Sequence, residues 1–290
     1  MNIKLIKKIT QKKISQWPPP GHFYSPIPSI DEIKSKEKAI FTISSKKIPA
    51  INLNGISQLK LLKKLKKFYK NLPFEANKKD NLRYFFNNPC FSYGDAIIYY
   101  CMIRKLKPKR IIEIGTGYSS CVALDTNELF FDNSISCTFI DPYPKLFLSL
   151  IKKSDKNRIK VINKNLQEID LKIFSGLSCR DILFIDSTHV SKINSDVNYI
   201  FFQILPCLKA GVFIHFHDIF FPFEYPKEWV YQGLAWNEAY LLRVFLQYNK
   251  IFKIQFFNSF MAYWHRKEVA KDIPLFLKNT GGSIWINKCH

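Results

Sequence analysis

Two sets of residues in this chain have the types and spacing to do chemistry. The first is Arg110-Ile-Ile-Glu113-Ile-Gly115-Thr116-Gly117-Tyr118-Ser119-Ser120, which joins a buried-strand pattern to an acid and two closely spaced glycines. The glycines let the backbone turn sharply and approach a ligand where a Cβ would collide, and a helix that follows offers unpaired N–H groups. This is the strand-turn-helix of a nucleotide-type cofactor site. A dinucleotide site would carry a third glycine where Ser120 stands, and a carboxylate at Glu113 would repel a pyrophosphate while suiting a cation. The next strand-like run, Ser136-Cys-Thr-Phe-Ile140, ends in Asp141-Pro142-Tyr143. An acid about 20 residues past a glycine loop, at the end of the second strand, is placed to accept hydrogen bonds from ribose hydroxyls.

The second set is Asp186-Ser-Thr-His189, closing the apolar run that starts at Asp181, and His215-Phe-His217-Asp218, closing the run that starts at Gly211. Along a strand His215 and His217 point to one face and Phe216 to the other. Carboxylates beside imidazoles support three readings. Asp186, His217 and Asp218 could hold a divalent cation, with His189 as a further ligand. His217 or His189 could be a general base at a metal-free site. The histidines could also be satisfied by structure alone.

The elements that position these residues alternate. Apolar strand-like runs end at Glu113, Asp141, Asp186 and His217, a fifth runs over Ile159 to Ile162, and Lys192 to Leu208 reads as a helix. Strand, helix, strand repeated along the middle of a chain argues for a parallel sheet with right-handed crossovers. Such sheets bind ligands beyond the carboxyl ends of their strands, so the chemical residues gather at one edge.

With E-x-G-x-G at Glu113 to Gly117 and the acid at Asp141, the chain resembles the class I S-adenosylmethionine-dependent methyltransferases. Other pieces resemble the methyltransferase-24 type domains, relatives of the catechol and caffeoyl-coenzyme A O-methyltransferases. They are Pro20-Gly21-His22-Phe23-Tyr24-Ser25-Pro26, Arg83-Tyr84 with Phe91, Gly94 and Asp95, Trp236-Asn237-Glu238 with Leu241-Leu242, and Gly282-Ser283-Ile284-Trp285-Ile286. The likeness runs from about Trp17 to Asn287. It implies a Rossmann-like, doubly wound α/β fold, a mostly parallel seven-stranded sheet with helices on both faces. It implies S-adenosylmethionine as cofactor, held by Glu113, Gly115, Thr116, Gly117, Tyr118, Ser119, Asp141 and, at the adenine edge, Gln167. Asp186, His189 and His217 are the expected catalytic residues. In the metal-dependent relatives an acid after the fourth strand and an Asp-Asn pair after the fifth hold the cation. Asp186 matches the acid, whereas His217-Asp218 stands where Asp-Asn would be, and histidine favours borderline metals over magnesium.

The expected activity is methyl transfer to oxygen of a small-molecule or glycan-type acceptor. A catalytically silent cofactor-binding protein and an RNA methyltransferase are the alternatives. The formal charge of +21 would ordinarily point to nucleic acid. Here lysine greatly outnumbers arginine, the residue that forks onto phosphates, and no aromatic-Asn-Pro tetrad of base methyltransferases is present, so nucleic acid is not expected as partner.

Residues 1–80 read as a basic and proline-rich arm with a helix, and residues 81–290 as the methyltransferase domain. Pro18-Pro19-Pro20, Pro26 and Pro28 exclude a continuous helix. That stretch reads as an extended linker or as a flap bringing His22, Phe23 and Tyr24 to the site. From Gln58 to Tyr69, leucines at helical spacing with Lys60, Lys63, Lys64, Lys66 and Lys67 outward form an amphipathic basic helix. Seven cysteines without a C-x-x-C pair fit a reduced, cytoplasmic protein. Met1 to Ser15 lacks the apolar core of a signal peptide, and surface contact with a membrane is a weaker alternative for it.

Overall fold

The computed structural model describes residues 17–289. The basic start, Met1 to Ser15, lies outside the described residues. Among those described, no helix is long and apolar enough to cross a membrane.

The chain forms two compact units. The smaller comprises residues 17–44 and 225–235. Its proline stretch is irregular, and two short helices, Ile30–Ser35 and Glu37–Phe41, follow it. Ser29 begins the first by accepting a hydrogen bond from the Glu32 amide at 3.3 Å. Glu37 bonds Lys227 Nζ at 3.2 Å and Tyr231 Oη at 2.5 Å, which ties the two segments of this unit together. His22 stacks on Phe23 with ring centroids 4.3 Å apart, and Tyr24 packs at a tilt against Phe23 at 4.2 Å.

The larger unit, residues 45–224 and 236–289, carries a seven-stranded sheet. Its strands are β1 Arg110–Ile114, β2 Ser136–Ile140, β3 Lys160–Ile162, β4 Ile182–Ile185, β5 Phe213–His217, β6 Phe252–Phe257 and β7 Ser283–Lys288. The order is β3-β2-β1-β4-β5-β7-β6; the first five are parallel, and β7 runs antiparallel to both neighbours. The sheet is therefore mostly parallel, as expected. β4 is wholly apolar and buried, and β1 and β5 are buried over nearly their whole length with Glu113, His215 and His217 among their apolar residues, as the central strands of a parallel sheet are. β6 alternates instead, with Phe252, Ile254 and Phe256 buried, Lys253 exposed, and a bulge between Ile254 and Phe256.

Register lines up Phe139, Glu113, Phe184, His215 and Trp285 across five strands. These side chains share one face. His215 stacks on Phe184 at 4.0 Å, and Tyr99 of the covering helix α2, Tyr93–Leu106, lies 4.7 Å from the same ring. α1, Gly55–Tyr69, packs Leu61, Leu62 and Leu65 inward, with Lys60, Lys63, Lys64 and Lys67 exposed. α3, Tyr118–Phe131, follows the glycine loop. The helix expected over Lys192 to Leu208 starts at Asp196, where Ser195 accepts a hydrogen bond from the Asn198 amide, and it passes through a π-helical turn at Ile200–Ile204. α4, Glu238–Leu246, approaches the ends of β4 and β5.

Candidate active site

The carboxyl ends of β1, β2, β4 and β5 bring the chemical residues to one edge. At the end of β1 the chain turns through Gly115, whose φ is +78°. A Cβ there would lie 1.9 Å from the carbonyl oxygen of Asp186, so only glycine fits. Gly117 differs. Its backbone is extended and an added Cβ would meet nothing within 4 Å.

Asp141 binds the glycine loop back to β2. Its carboxylate accepts from the Thr116 amide at 3.0 Å and hydroxyl at 2.6 Å, and from the Tyr143 amide at 2.6 Å. Glu113 is fully buried, and one of its oxygens accepts from the hydroxyls of Ser119 at 2.6 Å and Ser120 at 2.8 Å. Burial pushes this carboxyl up to about 8, against the pull of the two serines.

A cavity of about 480 Å³ opens beside the loop. Gly115, Thr116, Asp141, Gln167, Asp186 and Lys192 are among the residues that line it.

Past β4 and β5 a second group of side chains converges. His189 Nε2 lies 3.2 Å from Asp186 Oδ1 and 3.6 Å from Asp218 Oδ2, and its Nδ1 is 2.8 Å from Glu238 Oε2. Donor atoms of Asp186, His189 and Asp218 all fall within 4.8 Å of one another. Burial opposes charge on His189, but its hydrogen bonds to Asp186 and Glu238 hold the imidazole well above its usual range. Burial likewise works against the charged Asp186, which His217 and His189 together hold below its usual value. Burial pushes Asp218 up to about 6, against the pull of His217 and His189.

A family model described as a methyltransferase domain matches residues 112–219, the span from β1 to just past β5. An uncharacterized protein of Archaeoglobus fulgidus is 36% identical over 162 residues, which cover 55% of this chain and 73% of the relative. The chain belongs to this methyltransferase-domain family. Two solved structures were also found to be similar. The O-methyltransferase TomG of Streptomyces achromogenes, in complex with S-adenosylmethionine, is 11% identical with a TM-score of 0.45 over 89% of this chain and 96% of that one. The methyltransferase PaMTH1 of Podospora anserina, bound to S-adenosylhomocysteine, is 15% identical with a TM-score of 0.41 over 92% and 99%.

Of the residues expected to serve this methyltransferase domain, Gly115, Thr116, Asp141 and Gln167 line the cavity. Gln167 donates to the Asn194 carbonyl at 2.5 Å. Ser119 is buried against Glu113, and Tyr118 packs edge-on against Phe85 at 5.8 Å. Of the expected cation set of Asp186, His217 and Asp218 with His189 as a further ligand, the group that converges within 4.8 Å is Asp186, His189 and Asp218, without His217. The physical reason lies in backbone placement. His217 is still on β5, where its ring lies 5.2 Å from Phe91 and 5.7 Å from His215, while the other three sit in the loops beyond the strands. His217 Nε2 remains 3.6 Å from Asp218 Oδ1. Burial would lower the His217 imidazole, yet Asp218, Asp186 and Asp95 raise it, whereas burial drives His215 well below its usual value.

Sequence reasoning gave Glu238 no part in the site. Its signal was present in Trp236-Asn237-Glu238, but the contact joins residues 49 apart and forms only on folding.

Proposed function

We propose that the protein binds S-adenosylmethionine and transfers its methyl group to an oxygen of a small-molecule acceptor. One observation carries this reading. Asp186 lines the cofactor-sized cavity and also belongs to the cluster with His189 and Asp218, so a binding site and a proton-handling site share an edge.

The cavity volume is in the range that holds a nucleoside-sized ligand. Gly117 is compatible with the fit, because an added Cβ would meet nothing within 4 Å, which leaves open space through which a ligand could approach its backbone. Asp141 has one lone-pair site left, on Oδ1, for a ribose hydroxyl after accepting twice from Thr116 and once from Tyr143. S-adenosylmethionine, when bound, supplies an electrophilic methyl group on a sulfonium. The chain's part is to align the acceptor for in-line attack, exclude water and take up the acceptor's proton.

Two carboxylates and an imidazole converging within 4.8 Å also fit a divalent cation. Asp186, His189 and Asp218 would hold it, and its chemistry there would be to lower the pKa of the acceptor hydroxyl. His217, 3.6 Å from Asp218, favours the charged form of that carboxylate against the larger effect of burial.

Titration with S-adenosylhomocysteine in a calorimeter, with NAD as control, tests the reading. Stoichiometric binding of S-adenosylhomocysteine alone is expected. Gly117→Ala is expected to melt as the wild type does and to bind at least tenfold more weakly, whereas a folded wild type that binds neither ligand would overturn the cofactor assignment.

A further inference from the structure

His189 is held by three consecutive residues from a distant part of the chain. The amides of Asn237 and Glu238 both donate to its carbonyl oxygen, at 3.0 and 3.1 Å. The Trp236 ring packs 4.3 Å from the imidazole, and the Glu238 carboxylate binds Nδ1 at 2.8 Å. Asn237 also accepts from the Ser191 amide at 2.6 Å. His189 itself sits at φ +60°, a left-handed conformation uncommon for a non-glycine residue. Filling the core with a ring needs none of these restraints. The Glu238 contact in particular fixes the direction of Nδ1.

We propose that Glu238 is a positioning residue that fixes His189 with Nδ1–H toward its own carboxylate and Nε2 toward Asp186 and Asp218, and so biases the site toward borderline divalent ions such as manganese or zinc over magnesium. The proposal rests on the reading of Asp186, His189 and Asp218 as a cation site. Glu238 is 1% exposed, and its second oxygen accepts from Ser187 Oγ at 3.1 Å, so the carboxylate cannot swing away from the ring without losing a partner. A histidine whose Nδ1–H is given to a carboxylate presents the Nε2 lone pair and becomes a stronger donor. Nε2 then stands 3.2 and 3.6 Å from the two aspartate oxygens. Adjacent ligands of one octahedral ion with bonds of about 2.1 Å lie about 3 Å apart, so these separations need little change. A nitrogen donor among oxygens moves preference away from magnesium.

The test is calorimetric titration of the full chain with manganese and, separately, magnesium chloride, after melting curves have shown that each variant folds. Wild type is expected to bind manganese more tightly than magnesium. Glu238→Ala is expected to lose 10–100-fold in manganese affinity, the usual cost of removing such an outer partner, with little change for magnesium, so that the ratio between the ions collapses. Glu238→Gln keeps an acceptor for Nδ1–H and is expected to retain part of the ratio; it also serves if the alanine variant does not fold. Equal manganese-to-magnesium ratios in wild type and both variants would overturn the positioning role while leaving the cation site standing. Failure of wild type to bind either ion would overturn both.

Discussion

Glu113 shows what a single residue contributes and how it can be checked. It lies in the buried row between Phe139 and Phe184, and its carboxyl is pushed from 4.5 up to about 8 by burial. The folded state therefore keeps a proton that the unfolded chain releases above about pH 4.5. Stability should fall as pH rises from about 4.5 toward 8, with a limiting slope of about 1.4 kcal/mol per pH unit, and be unaffected by this group below that window. Glu113→Gln keeps an acceptor for Ser119 and Ser120 without the ionisation. Thermal melts of the ligand-free protein at pH 5 and pH 8 should show a larger drop for the wild type than for the glutamine variant. Parallel drops would mean that Glu113 is already ionised in the fold. The sequence placed an acid here and assigned it to a cation, but not its depth: zero exposure comes from helix and loop packing that residue type does not encode. His189 and His217 were likewise equal in sequence. Folding separated them, one into a loop beside Glu238 and one onto β5 beside Phe91.

Among the elements, α3 follows the glycine loop, and what anchors it is Arg83. The guanidinium bonds Asp155 through Nε at 2.8 Å and Nη2 at 2.5 Å, Asp125 through Nη1 at 2.6 Å and Glu128 through Nη2 at 2.7 Å. Asp125 and Glu128 belong to α3, and the amides of Arg83 and Tyr84 also donate to Asp125, at 2.9 and 2.8 Å. Arg83→Met would leave Asp125 and Asp155 buried without their cation. Breaking one side of such a network costs on the order of 3–5 kcal/mol, read as a lower urea midpoint at unchanged slope. A loss under about 1 kcal/mol would show that water replaces the guanidinium freely. The strands that bear chemistry were legible because each is a short, largely apolar run stopped by a glycine or a polar residue, as Ile114 is by Gly115 and Ile185 by Asp186. β6 was not, because Lys253 and Gln255 interrupt its apolar run and its partner β7 lies at the far end of the chain. Seven strands followed from the family resemblance; their pairing order rests on contacts that no local pattern carries.

At the scale of the whole molecule the dominant quantity is charge, 44 basic against 23 acidic side chains. So large an excess works against the compact state by self-repulsion. The repulsion is visible locally. Burial first, then the charges of Lys64 and Arg180, hold the Lys105 ammonium below its usual value. Lys64 is exposed on α1 with Lys60, Lys63 and Lys67, and α1 contains no acid to offset them. Salt shortens the reach of such repulsion from about 10 Å at 0.1 M to about 3 Å at 1 M, so the melting temperature should rise as sodium chloride is raised across that range. Lys64→Glu should stabilise the protein at low salt by a few tenths of a kcal/mol, the worth of an exposed pair, and this gain should vanish at 1 M. A melting temperature that falls with salt would mean that attractive pairs, such as those around Arg83, outweigh the net repulsion.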